Sequence, residues 1–210
     1  MTKVSPETII PVGVSSEKQG RSSGAGKNPV VLTVWKKSLL FNCDGFTVYD
    51  SNGNLVFRVD NYVPGGNGEI VLMDANGRSL HTIRRKRLSL SDNWVVYDGE
   101  TAVNPMFSMT KHMNLLTTKP LAYISSAGIS NKNKNPIYEI EGSYAQRCCI
   151  VNDERRRGVA EIRRKEGMGG VVLGGDVFRL IVEPSMDPSL AMALVIILDQ
   201  MFAHSRRFRT

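Results

Sequence analysis

Polar and apolar positions along the chain follow two periods in succession. From Val30 onward, short β-branched and aromatic runs are separated by turn residues at regular intervals, the pattern of an all-β sandwich or barrel. Leu55, Phe57 and Val59 alternate with Val56, Arg58 and Asp60. Phe178, Leu180 and Val182 alternate in the same way with Val177, Arg179 and Ile181, so one set in each strand faces inward. A unit of strand, Asp-containing turn and strand recurs in Phe46–Asp60, Glu69–Lys86, Trp94–Lys111 and Cys148–Lys165, and each copy is expected to be a β-hairpin. In the first two copies Asn52-Gly53 and Asn76-Gly77 lie between apolar runs, where both residues tolerate positive φ and predict a tight turn. Leu121–Ile124 and Ile137–Ile140 also have strand character and flank a polar run, Ser125–Pro136, that reads as a loop.

After Pro184 the period changes. Asp187-Pro188 supplies an N-cap with proline at the first helical position, predicting a helix over about 188–203. Leu190–Leu198 is apolar on every side, whereas a surface helix keeps a polar face, so this segment must be surrounded by protein. Many hairpins and one such helix imply a sheet closed on itself, wide enough to be threaded by the helix. The fold expected is mainly β: a closed antiparallel β-barrel enclosing a C-terminal hydrophobic helix.

Composition refines this reading. Residues 1–28 are rich in Ser, Gly and Lys and hold no aromatic, so they are expected to form a flexible leader before a domain at 29–204 and a basic tail at 205–210. The longest apolar run has nine residues, against roughly 20 for a membrane-spanning helix. The first ten residues lack a basic stretch followed by an apolar one, position 2 is Thr, and no CaaX box closes the sequence. No secretory signal, myristoyl group or prenyl group is therefore expected. Cys43, Cys148 and Cys149 are too few and too badly placed for a disulfide framework, which points to a reducing compartment.

Three separated stretches resemble the LURP-one-related proteins of plants: LTVWKKSLLFNCDGFTVYDSNGNLVFRVDNY (Leu32–Tyr62), IRRKRLSLSDNW (Ile83–Trp94) and ALVIILDQ (Ala193–Gln200). The resemblance covers roughly Val30–Phe202. It implies a twelve-stranded barrel around a C-terminal helix, as in the Tubby C-terminal domain and the phospholipid scramblases. It also implies a link to plant defence and a membrane role like that of Tubby, while no catalytic or ligand residue of the family maps onto positions here.

The chain carries 27 Lys+Arg against 20 Asp+Glu, a formal net charge of +7, which favours anionic partners. Arg84, Arg85, Lys86 and Arg87 form one basic cluster, and Arg163, Arg164 and Lys165 occupy the same place in a later repeat. Several such groups on one surface would hold a phosphoinositide headgroup through charge-assisted hydrogen bonds. The same charges also serve solubility and protect strand edges. Alternation divides each cluster, sending Arg84 and Lys86 one way and Arg85 and Arg87 the other. Signalling proteins are the alternative partners. Nucleic acid would be attracted only nonspecifically, because Trp35, Phe41, Phe46, Tyr49, Phe57, Trp94, Tyr97 and Phe178 read mostly as core and no recognition motif accompanies the charge.

Catalytic signals are absent from the sequence. The glycine-rich stretch ending at Gly26-Lys27 has Arg21 where a phosphate-binding loop needs Gly and Asn28 where it needs Ser or Thr. Gly167, Gly169, Gly170, Gly174 and Gly175 miss the dinucleotide fingerprint and read as turns. His81, His112 and His204 are scattered without metal-ligand spacing. Cys148 and Cys149 adjoin Arg147, whose charge would favour a redox-sensitive thiolate, although at least one of them reads as a small core residue. A non-enzymatic binding or regulatory module without cofactor or metal is expected, cytoplasmic, with peripheral plasma-membrane or nuclear sites as further expectations.

Overall fold

The computed structural model describes residues 28–40, 44–61, 68–86, 92–112, 120–127, 136–166 and 174–203. The leader before Asn28, Phe41, Cys43, Arg87, most of the run 125–136, Gly167–Gly170, His204 and the basic tail lie outside the described residues.

Twelve antiparallel strands, β1 (Val30–Trp35), β2 (Phe46–Tyr49), β3 (Leu55–Val59), β4 (Ile70–Asp74), β5 (Ser79–Arg85), β6 (Asn93–Asp98), β7 (Pro105–Lys111), β8 (Ala122–Ser126), β9 (Tyr138–Ser143), β10 (Cys148–Asp153), β11 (Gly158–Arg164) and β12 (Val177–Val182), precede one helix, α1 (Pro188–Phe202). Each strand pairs with its neighbours in sequence, and β12 returns to pair with β1, so the sheet is a closed barrel. Closure leaves no unpaired edge to template association. All four repeated units form the hairpins expected of them. Strand β8 extends to Ser126, so the first two serines of the polar run belong to the sheet.

One device shapes the hairpin turns. The Asp50 carboxylate accepts from the backbone N–H of Asn52 and Asn54. Asp74 does the same for Asn76 and Arg78, and Asp153 for Arg155 and Arg157. The pairing register shifts just before Asp50, Asp74, Asp98 and Asp153 alike, a bulge that increases strand twist. Only Gly53 and Gly77 of the two Asn-Gly pairs take positive φ, 84° each; Asn52 and Asn76 do not, because the Asp side chain already holds their N–H. In the β10–β11 turn the same position is Arg156, at φ 61°, a conformation unfavourable to an L side chain.

Inward residues of every wall meet α1 along its whole circumference: Leu190–Met201 are all buried. Phe46, Phe57, Trp94 and Phe178 lie in this core. Trp35 does not: it points outward at the end of β1, is 41% exposed, and has the Lys37 ammonium 5.3 Å from its ring centre. The helix starts as its sequence indicates, with the Asp187 carboxylate accepting from the N–H of Ser189 and Leu190 and Pro188 following. Beside this start the buried His81 ring shares a 2.7 Å hydrogen bond with the Ser189 hydroxyl.

The Arg156→Gly substitution is expected to raise stability by about 1 kcal/mol by relieving the left-handed strain, since the exposed ion pairs it forfeits contribute little. A chemical-denaturation midpoint checks this. Burial lowers the pKa of His81, against opposing attraction from Asp187 and Asp98. The folded state therefore binds fewer protons than the unfolded chain, so this contribution is full above about pH 6.5 and is lost as pH falls below it. Thermal midpoints should drop between pH 7.5 and 5.5, and drop less in His81→Gln.

Candidate functional site

The two ends of the barrel differ. At the end where α1 enters, most connections are short turns. At the end where it exits, five of the six connections run seven to twelve residues, the kind of segment on which binding groups usually sit. Both basic clusters lie at this exit end, Arg84 and Arg85 closing β5 and Arg163 and Arg164 closing β11.

The ring does not bring the two clusters together. From β5 to β11 is six steps in a ring of twelve strands, so they stand on opposite walls, roughly 20–25 Å apart for ~4.8 Å strand spacing and ~40° tilt. Most of these cations also have partners. Arg84 pairs with Glu69, just before β4, and Arg85 with Asp92, just before β6, at 3.0 Å, and Arg163 pairs with Glu161. Arg164 Nε donates to the carbonyl of Gln146 at 2.8 Å, and Lys165 Nζ to Thr33 Oγ1 at 3.0 Å. Lys86 is exposed just beyond β5, and its backbone N–H donates to the Asn93 carbonyl. Arg179, exposed and paired in register with Arg163 and Thr33, adds a cation to the β11 side that the sequence reading did not single out. With Lys165, Val31 and the Asp50 turn it lines a groove of about 610 Å³ on the outer wall.

A second group of polar residues, not anticipated from the sequence, occupies the barrel mouth. Asp199, in the last turns of α1, is fully buried; its carboxylate forms an ion pair with Lys36 Nζ at 2.9 Å and accepts from the Tyr144 hydroxyl at 3.0 Å. Burial and the Asp199 charge push the Tyr144 phenol well above its ordinary pKa, so it stays protonated and donates. Lys111 Nζ donates to the carbonyl of Met201 at 3.2 Å, where the helix dipole is negative.

Arg147 completes this mouth. It sits in the β9–β10 turn at φ 53°, where its N–H donates to the Tyr144 carbonyl. The turn closes tightly because residue 142 is glycine at φ 103°; a Cβ there would lie 2.2 Å from the Cys148 carbonyl oxygen. The Arg147 guanidinium lies against the rings of Tyr144 and Phe178, at 4.2 and 4.3 Å, two rings that meet edge to face with centroids 6.4 Å apart, and Nε donates to the Gly175 carbonyl. Next to it opens a cavity of about 190 Å³, lined also by Asp176, Phe202 and Ala203.

The two cysteines occupy different surroundings. Cys148 is exposed while Cys149 is in the core, on opposite faces of β10, and burial pushes the Cys149 thiol up to about 12, outweighing the nearby Arg147 charge. Among the described residues no three His, Cys, Asp or Glu are placed to hold a metal. No described helix is long and apolar enough to cross a membrane.

These features define a class: antiparallel barrels of twelve strands closed around one terminal helix. The chain belongs to the LURP-one-related family, whose profile matches residues 30–199. It is 58% identical over 183 residues to protein LURP-one-related 8 of Arabidopsis thaliana, covering 85% of this chain and 90% of that protein. It is 47% identical over 186 residues to LURP-one-related 17 of the same plant, covering 82% and 83%. An X-ray structure of a further Arabidopsis thaliana protein superposes with a TM-score of 0.61 at 25% identity, covering 83% of this chain and 91% of that one.

Removing the partner of the buried Asp199 carboxylate should be far more damaging than removing a surface cation. Lys36→Met is expected to cost about 2–3 kcal/mol, less than a fully buried pair because Lys36 keeps some exposure, and Arg163→Met under 1 kcal/mol. The double variant Lys36→Met/Asp199→Asn should recover part of the loss in urea denaturation.

Proposed function

We propose that the chain is a non-enzymatic binding module that docks on anionic phospholipid headgroups, phosphoinositides among them, with its helix-exit end. The observation that carries this reading is that Arg84, Arg85, Lys86, Arg163, Arg164 and Lys165 all lie at or just beyond strand ends on one rim. Opposite walls of a rim cannot share one headgroup, but they face one plane. Two patches spaced roughly 20–25 Å apart suit a flat charged surface, on which each contacts a different lipid. Carboxylates paired with Arg84, Arg85 and Arg163 temper the charge, so Lys86, Arg164, Lys165 and Arg179 carry most of the attraction. Each cation held near the surface adds about 1 kcal/mol, making docking reversible and sensitive to salt. The closed sheet and its filled interior make the barrel a rigid body, so docking requires no rearrangement of the core.

A second reading, a protein-interaction scaffold in defence signalling, is favoured by the outer wall, where Val31 and Ile150 are each at least 40% exposed. A module of that kind would keep its partners after charge reversal at Arg85 and Arg164.

Vesicle flotation tests the membrane reading. Recovery should rise from neutral phosphatidylcholine vesicles to vesicles carrying phosphatidylserine or a phosphoinositide, and Arg164→Glu/Lys165→Glu should lower it about tenfold or more, given two contacts of about 1 kcal/mol each and added repulsion. Equal recovery from neutral and anionic vesicles would overturn it.

A further inference from the structure

Seven large apolar side chains among the described residues are exposed, and three of them, Trp35, Leu39 and Leu40, fall within six consecutive positions. Single exposed apolar side chains are common, whereas several together mark a contact surface. Strand β1 runs from the helix-entry end to the helix-exit end, so this segment, which opens the β1–β2 connection, stands on the same rim as the basic clusters. It is also tied in place. Lys36 donates its backbone N–H to the Asp176 carbonyl at 2.8 Å and sends its ammonium to Asp199. Ser38 is 5% exposed; its hydroxyl donates to the Asp60 carboxylate at 3.0 Å and accepts from the Leu40 N–H at 3.0 Å. Asp60 is held in turn by Arg58 at 2.8 Å. Residue 45 is glycine where the chain closes on this point: a Cβ there would lie 2.0 Å from the Val59 carbonyl oxygen and 2.9 Å from the Ser38 Cβ. With positions 36 and 38 fastened inward, Trp35, Lys37, Leu39 and Leu40 are left facing solvent. Holding three large apolar groups in water is unfavourable for the isolated chain.

We propose, building on the membrane docking above, that this segment is a shallow anchor: Trp35, Leu39 and Leu40 enter the interfacial layer of an anionic bilayer while Lys37 stays among the headgroups. Three observations select lipid over protein. The Lys37 ammonium lies 5.3 Å from the Trp35 ring centre, joining a cation to an aromatic with an apolar body and a polar edge, the combination that settles at headgroup level. The same rim displays Lys37, Lys86 and Arg164, exposed, with Lys165 half-buried beside them, so attraction to anionic lipid accompanies the apolar contact; Asp44, exposed where the connection returns to β2, tempers it. Finally, three side chains offer far less than the roughly 20–30 residues a side of a specific protein interface. They line neither of the two cavities described above, so no pocket stands beside them to receive a partner's anchor residue. Shallow entry into lipid needs no such pocket, because apolar area and charge attraction add on one flat surface.

Tryptophan emission of the whole chain tests this, since Trp35 is 41% exposed and Trp94 only 2%. On phosphatidylcholine vesicles containing phosphatidylserine, emission should shift to the blue, resist aqueous iodide and be quenched by lipids brominated on their tails. Trp35→Phe should remove these changes. Leu39→Ser/Leu40→Ser should lower vesicle partitioning about tenfold while retaining the wild-type melting profile. In about 0.5 M salt the wild type should keep part of its binding and this variant almost none, because apolar contact is not screened. Binding to anionic vesicles with Trp35 still open to iodide, and with the leucine variant partitioning like the wild type, would sink the anchor and leave docking by charge alone. No binding to anionic vesicles would sink both. A blue shift that grows with protein concentration before lipid is added would make a second copy of the chain the occupant and rule out the bilayer.

Discussion

Everything in this molecule is arranged around the removal of one helix from water. Twelve consecutive residues of α1 are buried, more than three full turns with no solvent-facing side, which an open sheet covering one face cannot achieve. A closed sheet can, and closure in turn requires β12 to find β1. The core of the domain is thus a rod and its lining, with inward residues of all the walls converging on the same few side chains.

That constraint explains why the chemistry gathers at one end. A helix enclosed along its length meets water only at its termini, so polar groups are confined to the two openings. At the entry, Asp187 caps free N–H groups and Ser189 engages His81. At the exit, Asp199 directly follows the apolar run, and its burial draws in Lys36 and Tyr144. Tyr144 carries Arg147 on its ring, and Arg147 borders the cavity. The family is shown by the sequence match and the fold by the superposition. The binding roles proposed for the rim and its β1–β2 connection rest on this local chemistry.

The architecture was largely readable from the residues. Period-two alternation marked β3 and β12, Asp-containing turns marked four hairpins, and Asp187-Pro188 marked the helix start, because each is a local signal that the fold leaves intact. The site was much less readable. Arg147 looked like a neighbour of two cysteines, since nothing nearby in sequence shows that Phe178, from another strand, will lie against its guanidinium. The one available clue was Asp199, a carboxylate following nine apolar residues, which had to find a cation at the barrel mouth. The basic clusters were visible as clusters, but their separation depends on counting strands around a closed ring. Trp35 was misjudged because aromatic content in a strand does not say which face it takes when the strand reaches its end.

The closing seam between β1 and β12 governs how the chain comes into being. During synthesis the first strand is available long before its partner, and the staves between them accumulate as an unfinished arc with two open borders and no rod to wrap. Such an arc exposes apolar surface and pairing groups to neighbours in a crowded cell. Its contacts are distant in sequence, so completion is slow by topology. The interval before Val177–Phe202, the closing strand and the rod, leave the ribosome is therefore when the growing sheet is most exposed to wrong partners.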